Sequence, residues 1–233
     1  MMEISPPSGR LIAIGDIHGN AAALETILDA IWPQRSDTVI TLGDYIDRGP
    51  DTRRVIEMLL RLGERCRYIP IMGNHEEVLL TLLDGRPMRI TFADWLSFGG
   101  EETLASYGVQ TVSELPVEHT AFLRNSITYY ATDDYFFTHA MYLPEIPLRY
   151  QSKQVLRWGR FWTESDIPGP HRSGRHAIVG HTAQSEGQIV VRDHFTCLDS
   201  GCYRPRGVLT AMNVRTGELW QADQMGTISP TAW

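Results

Sequence analysis

Nine side chains in five short segments carry groups suited to chemistry. They are Asp16 and His18 in Gly-Asp-Ile-His-Gly (15–19), Asp44, Asp47 and Arg48 in Gly-Asp-Tyr-Ile-Asp-Arg-Gly (43–49), Asn74 and His75 in Gly-Asn-His-Glu (73–76), His139, and His181 in Gly-His-Thr (180–182). Oxygen and imidazole donors in this mixture suit divalent metal ions. Asp16 and His18, two apart in a turn, can aim at one ion, while Asn74, His139 and His181 suit a second. Asp44 can lend a carboxylate to both, which is how a pair of ions is held about 3.5–4 Å apart. Six ligands with coordination positions left for water describe a catalytic centre, since a structural site closes with four. A metal-bridging hydroxide then supplies the attacking group. No nucleophilic side chain is required, and the chain has neither a Gly-x-Ser-x-Gly elbow nor a Walker loop.

His75 stays outside the ligand set. It faces the substrate, and Asp47 is placed to hydrogen-bond its ring, hold its tautomer and raise its pKa, so that it can protonate a departing oxygen. Arg48 carries a planar guanidinium that suits two phosphate oxygens. Each piece alone has a plainer role: Asn74 with Glu77 could cap a helix, His139 or His75 could be structural, and Arg48 could form a surface ion pair. Their coincidence with strand ends favours the site.

Each segment follows an apolar run: Leu11–Ile14, Thr38–Leu42, Tyr68–Met72, Tyr135–Thr138 and Ala177–Val179. Helical periodicity over 21–31, 52–62 and 76–83 alternates with the first three runs, which indicates βαβ units and a mainly parallel sheet. Asp51 reads as an N-cap and Gly63 as a stop for the second helix. Between about 84 and 124 the pattern changes to a small helical insertion, with fragments at 92–98 and 117–123 around a loop holding Gly99-Gly100. Strands dominate afterwards, at 127–131, 188–191, 195–198, 208–214 and 218–222, and 159–175 reads as loop. The expected fold is α/β: a central two-sheet β-sandwich flanked by α-helices, one domain over 1–233.

The 233 residues are 42% hydrophobic and 21% charged, with a net charge of −7, so neither nucleic acid nor a membrane is an expected partner. The stretch Met1–Pro7 has no basic start or apolar core, and a cytoplasmic location is expected by default. Cys66, Cys197 and Cys202 are read as buried thiols.

The motifs, in this order, resemble those of the calcineurin-like metallophosphoesterases, and specifically the phosphoprotein phosphatases, in the small bacterial and phage lambda phosphatase-like form. The resemblance implies Asp16, His18 and Asp44 on one metal and Asp44, Asn74, His139 and His181 on the other, with manganese first and iron or zinc as alternatives. It implies His75 with Asp47 as general acid, Arg48 and Asn74 on phosphate, and Arg160, in Trp158-Gly159-Arg160, as a second phosphate clamp with Arg157 as runner-up. The expected substrate is a phosphoserine or phosphothreonine protein or peptide, or a small phosphate ester. The alternative is a symmetrical dinucleoside tetraphosphatase, whose family usually lacks the Asp at position 47 and has Asp in place of Glu76. A non-catalytic binding scaffold is the third reading.

Overall fold

A computed structural model describes residues 9–87 and 89–229; the Met1–Pro7 stretch lies outside them. Eleven strands form two sheets among the described residues. The first has the order β11-β10-β9-β1-β2-β3, where β1 is Leu11–Ile14, β2 Thr38–Thr41, β3 Arg67–Pro70, β9 Val208–Asn213, β10 Leu219–Asp223 and β11 Ile228–Ser229. The second has the order β4-β5-β6-β8-β7, from Tyr129–Ala131, Tyr135–Thr138, His176–Val179, Phe195–Cys197 and Val190–Arg192. Each sheet holds a parallel set of three neighbouring strands, β1-β2-β3 at one side of the first and β5-β6-β8 in the middle of the second.

The apolar runs are continuous because both faces of these strands are covered. Leu11 and Ala13 of β1 pack with Ile40, Phe137 and Ile178 between the sheets. Ile12 and Ile14 face the other way, onto Leu24 and Ile27 of α1 (Ala21–Ile31) and Val55 and Leu59 of α2 (Thr52–Arg65). The second sheet buries its outer face under Tyr142, Leu148, Leu156 and Phe161. Because each parallel set runs in one direction, the segments after β1, β2 and β3, and those after β5, β6 and β8, gather on one side.

Several local expectations change. The α2 helix runs through Gly63 to Arg65, with Asp51 capping it by accepting from Arg54 N at 3.3 Å. The α3 helix (Asn74–Leu83) starts two residues before its expected place, with Gly73 rather than Asn74 as its cap. Inside the insertion, α4 (Phe92–Trp95) passes through a π-helical turn at Leu96–Gly100 into α5 (Glu101–Tyr107), where loop was expected. Gly99 turns the chain there with φ of 111°, a value open to glycine. The insertion closes with α6 (Val117–Asn125), and α7 (Lys153–Trp158) precedes the 159–175 loop, which contains a single short 3-10 turn at Glu164–Asp166.

Candidate active site

The turns after the parallel strands bring the chemical side chains into one buried cluster. Asp44, from the turn after β2, is its centre. Its carboxylate oxygens lie 3.6 Å from His18 Nε2, 3.4 Å from His139 Nε2 and 3.9 Å from His75 Nε2. Two groups of side chains able to hold an ion share Asp44: one with His18 and His75, the other with His139 and His181. Asn74 Oδ1 joins the second group, 2.9 Å from His139 Nε2. Asp16 is in neither trio. Its two oxygens accept from His181 N at 3.2 and 3.0 Å, and a Cβ at Gly180 would collide with it. The tight trio beside His18 therefore includes His75 where the sequence placed Asp16.

The local backbone is bent to achieve this. His18, Asp44, Asp47, Arg48 and His181 all have φ between 46° and 71°. Such left-handed conformations cost non-glycine residues about 1–3 kcal/mol each and persist where the surroundings enforce them. Glu76 is one enforcer. Fully buried, it accepts from Asp44 N at 2.9 Å, Tyr45 N at 2.8 Å and Gly73 N at 2.9 Å, locking the second segment to the third.

The donor set fits divalent ions. His139 Nδ1–H donates to Leu42 O at 2.7 Å, so Nε2 presents a lone pair toward Asn74 Oδ1 and Asp44 Oδ1. His18 Nδ1–H donates to Ile46 O at 3.0 Å, so its Nε2 is an acceptor, and here it takes a hydrogen bond from Arg48 Nη1 at 2.9 Å. Acceptors facing acceptors this closely, out of water, are satisfied by a cation between them. Burial, with Arg48 nearby, holds the His18 pKa far below the usual histidine value. Burial also lowers His139 and brings His181 down to about 2, so these rings are neutral as ligation requires.

His75 behaves oppositely. Burial alone would lower its pKa, yet Asp44 and Asp47 outweigh that and raise it. Its Nδ1–H donates to Asp47 Oδ2 at 2.7 Å. Arg48 Nη1 donates to His18 Nε2 at 2.9 Å, and its guanidinium lies 4.1 Å from the centre of the Tyr203 ring. Arg160 Nε donates to His181 Nε2 at 3.1 Å, whereas Arg157 is buried and paired with Glu77 at 2.6 Å. The structure thus brings Arg160, not Arg157, to the cluster.

Sequence reasoning missed Asp199. It is buried after β8, accepts from Gly201 N at 3.0 Å, and its pKa is pushed up to about 6 by burial, with Asp44 adding to the rise. Burial raises Asp16 well above the usual range, with Asp199 the next cause. Its signal was present in Leu198-Asp199-Ser200-Gly201, the same order of apolar run, acid and glycine as the first two segments. Tyr203 stacks edge-on against His18 at 4.9 Å.

A two-sheet sandwich with carboxylates and imidazoles gathered at its strand ends defines a metal-dependent phosphoesterase. The chain belongs to the calcineurin-like phosphoesterases, whose family model matches residues 9–207. Among curated proteins it is 40% identical over 76 residues to the symmetrical bis(5'-nucleosyl)-tetraphosphatase of Paracidovorax citrulli (strain AAC00-1), 32% of this chain and 26% of that protein. It is also 40% identical over 83 residues to the same-named protein of Acidovorax sp. (strain JS42), covering 34% and 28%. The chain therefore matches about a quarter of the length of these relatives. Among solved structures, one provisionally described as a diadenosine tetraphosphatase aligns over 92% of this chain and 93% of its own, with a TM-score of 0.68 and 25% identity. The cold-active protein-tyrosine phosphatase of a psychrophilic Shewanella sp. shares the fold, with a TM-score of 0.64, 16% identity and coverage of 94% and 79%.

Proposed function

We propose that the chain hydrolyses dinucleoside tetraphosphates at the Asp44-centred cluster. This moves the sequence reading from its leading choice, a protein phosphatase, to its stated alternative. The observation that carries it is a pair of cavities that meet at Arg48 and Phe98, each with aromatic side chains in its wall, the second also bordered by Glu101 and Glu102. One, of about 250 Å³, extends past Asn74, His75 and Arg160 to Trp95 and Trp158. The other, of about 510 Å³, extends past Leu96 and Gly99 to Tyr203. A phosphate chain with a nucleoside at each end would set its charge against the guanidinium and a base against each aromatic wall. The names of the relatives and of the near-full-length structural neighbour support the same substrate class.

Asp16, His18 and Asp44 would hold one divalent ion, and Asp44, Asn74, His139 and His181 the other, with manganese the expected occupant and iron or zinc the alternatives. Such ions, when bound, supply a nucleophile from water at neutral pH and a Lewis acid at phosphorus. Arg48, Asn74 and Arg160 would orient the phosphate and take up developing charge. His75, held by Asp47, would deliver its Nε2 proton to the departing oxygen.

One observation favours the phosphoserine/phosphothreonine reading instead, namely the closeness of His75 and Asp47 at 2.7 Å. An alkoxide leaving group needs a proton donor more than a nucleotide phosphate does. Measuring kcat/KM side by side for diadenosine tetraphosphate and a phosphoserine peptide decides between them. The expected result is preference for the dinucleotide, with ADP as product. A tenfold preference for the peptide would promote the second reading, and turnover of neither would contradict both.

A further inference from the structure

The helical insertion is tied to the second motif at successive positions. Asp47 is completely buried, and both its oxygens are engaged. Oδ2 accepts from His75 Nδ1 at 2.7 Å and from Trp95 Nε1 at 3.0 Å, while Oδ1 accepts from Thr103 Oγ1 at 2.7 Å. The Thr103 oxygen accepts in turn from Asp47 N at 2.9 Å, closing a ring on one residue. Next along the chain, Arg48 N donates to Gly99 O at 3.0 Å. Trp95 comes from α4, Gly99 from the π-helical turn and Thr103 from α5, so three consecutive pieces of the insertion converge on this turn.

A carboxylate held only by a histidine could rotate, and the ring would turn with it. Donors on both oxygens remove that freedom. Trp95 is itself fixed, 1% exposed and packed so closely on Gly100 that a Cβ there would strike the indole. We propose that Trp95 and Thr103 are positioning residues for proton donation: they fix the Asp47 carboxylate and, through it, the ring of His75, a residue that lines the cavity of about 250 Å³. Hydrogen-bond partners one step behind a working side chain typically change activity by about 10–100-fold when removed. The π-helical turn, a feature often found at functional sites, is what lets α4 and α5 reach Asp47 from two directions. This inference rests on His75 being the proton donor.

The test uses the full-length, manganese-loaded chain with two probes of differing leaving-group need, phenyl phosphate and p-nitrophenyl phosphate. Trp95→Phe removes one donor with part of the indole's volume, Thr103→Val removes a donor to Asp47 Oδ1 and the acceptor of Asp47 N at nearly constant volume, Thr103→Ser keeps the hydroxyl, and His75→Asn is the reference. Trp95→Phe and Thr103→Val are expected to lower kcat on phenyl phosphate about tenfold more than on p-nitrophenyl phosphate. KM should stay close to wild type, the melting temperature should fall by the several degrees that orphaned buried groups cost, and Thr103→Ser should restore both the ratio and the melting temperature. A crystal structure of the Thr103→Val chain should show the Asp47 carboxylate rotated from its place. Equal losses on both probes in Trp95→Phe and Thr103→Val, with His75→Asn discriminating, would overturn the positioning role alone. A His75→Asn chain that loses both activities equally would remove the proton-donor reading, and this inference with it. An unmoved Asp47 in the Thr103→Val crystal would also count against the proposal.

Discussion

Glu76 illustrates how much one side chain can organise without touching substrate. In the sequence it serves to tell one family pattern from another, as Glu rather than Asp after Asn-His. In the structure its length is what matters, because the carboxylate must reach Asp44 N, Tyr45 N and Gly73 N together. A shorter Asp would fall a methylene short. Removing it by Glu76→Ala leaves three buried N–H groups without their acceptor, each worth about 1–3 kcal/mol. The expected loss of stability is therefore at least about 3 kcal/mol, measured from urea unfolding; a loss below about 1 kcal/mol would mean other acceptors take over those amides. The gathering of Asp44 with His18, Asn74, His139 and His181 and the His75–Asp47 pair were legible at this scale, since Asp, His and Asn in tight turns have few other uses in such number. Asp199 was not, because a single acid after a strand reads as ordinary turn chemistry until the fold sets it beside Asp16.

At the scale of elements, what positions the site is the common direction of the parallel strands, and their starts are pinned as well as their ends. Asp37, just before β2, accepts from Arg10 N at 2.9 Å, Arg10 Nη2 at 2.7 Å and Gln34 N at 2.9 Å, tying β1 to β2 at the edge opposite the site. Burial opposes its charge, but Arg10 and these amides outweigh burial and lower its pKa from 3.8. A carboxylate with a depressed folded-state pKa contributes stability above its unfolded value and loses it as pH falls through the folded one. Asp37→Asn should cost about 1–3 kcal/mol at neutral pH. That difference should close as the pH is taken below 3.8, followed by urea unfolding of both proteins across pH 3 to 7. A gap that persists unchanged at the acid end would show the contact is not ionic. Strands β1, β2 and β5 could be read from sequence because they are almost wholly buried and built of aliphatic, aromatic and β-branched residues with no charged residue among them. The α4–α5 passage could not, because its π-helical turn is set by the approach of Gly99 and Trp95 to the Asp47–Arg48 turn, a contact between segments some fifty residues apart.

For the whole molecule, two sheets and their helices hold five non-glycine residues in left-handed conformations around a cluster rich in acceptors. The folded chain should therefore be the form that binds cations. Each ion at a hundred times its dissociation constant stabilises the fold by about 2.7 kcal/mol, so two give about 5 kcal/mol, or roughly 10–20 °C in a chain of this size. Added manganese should raise the melting temperature by that amount, chelator should reverse it, and Asp44→Asn should abolish the response; an equal rise in Asp44→Asn would place the ions elsewhere. The most direct test of the dinuclear centre is the metal content of the purified, manganese-equilibrated chain by mass spectrometry of the elements. Two ions per wild-type chain are expected, with loss of both affinity and turnover in Asp44→Asn, the side chain shared by the two sites. One ion or none in the wild type, or two retained in Asp44→Asn, would contradict the account.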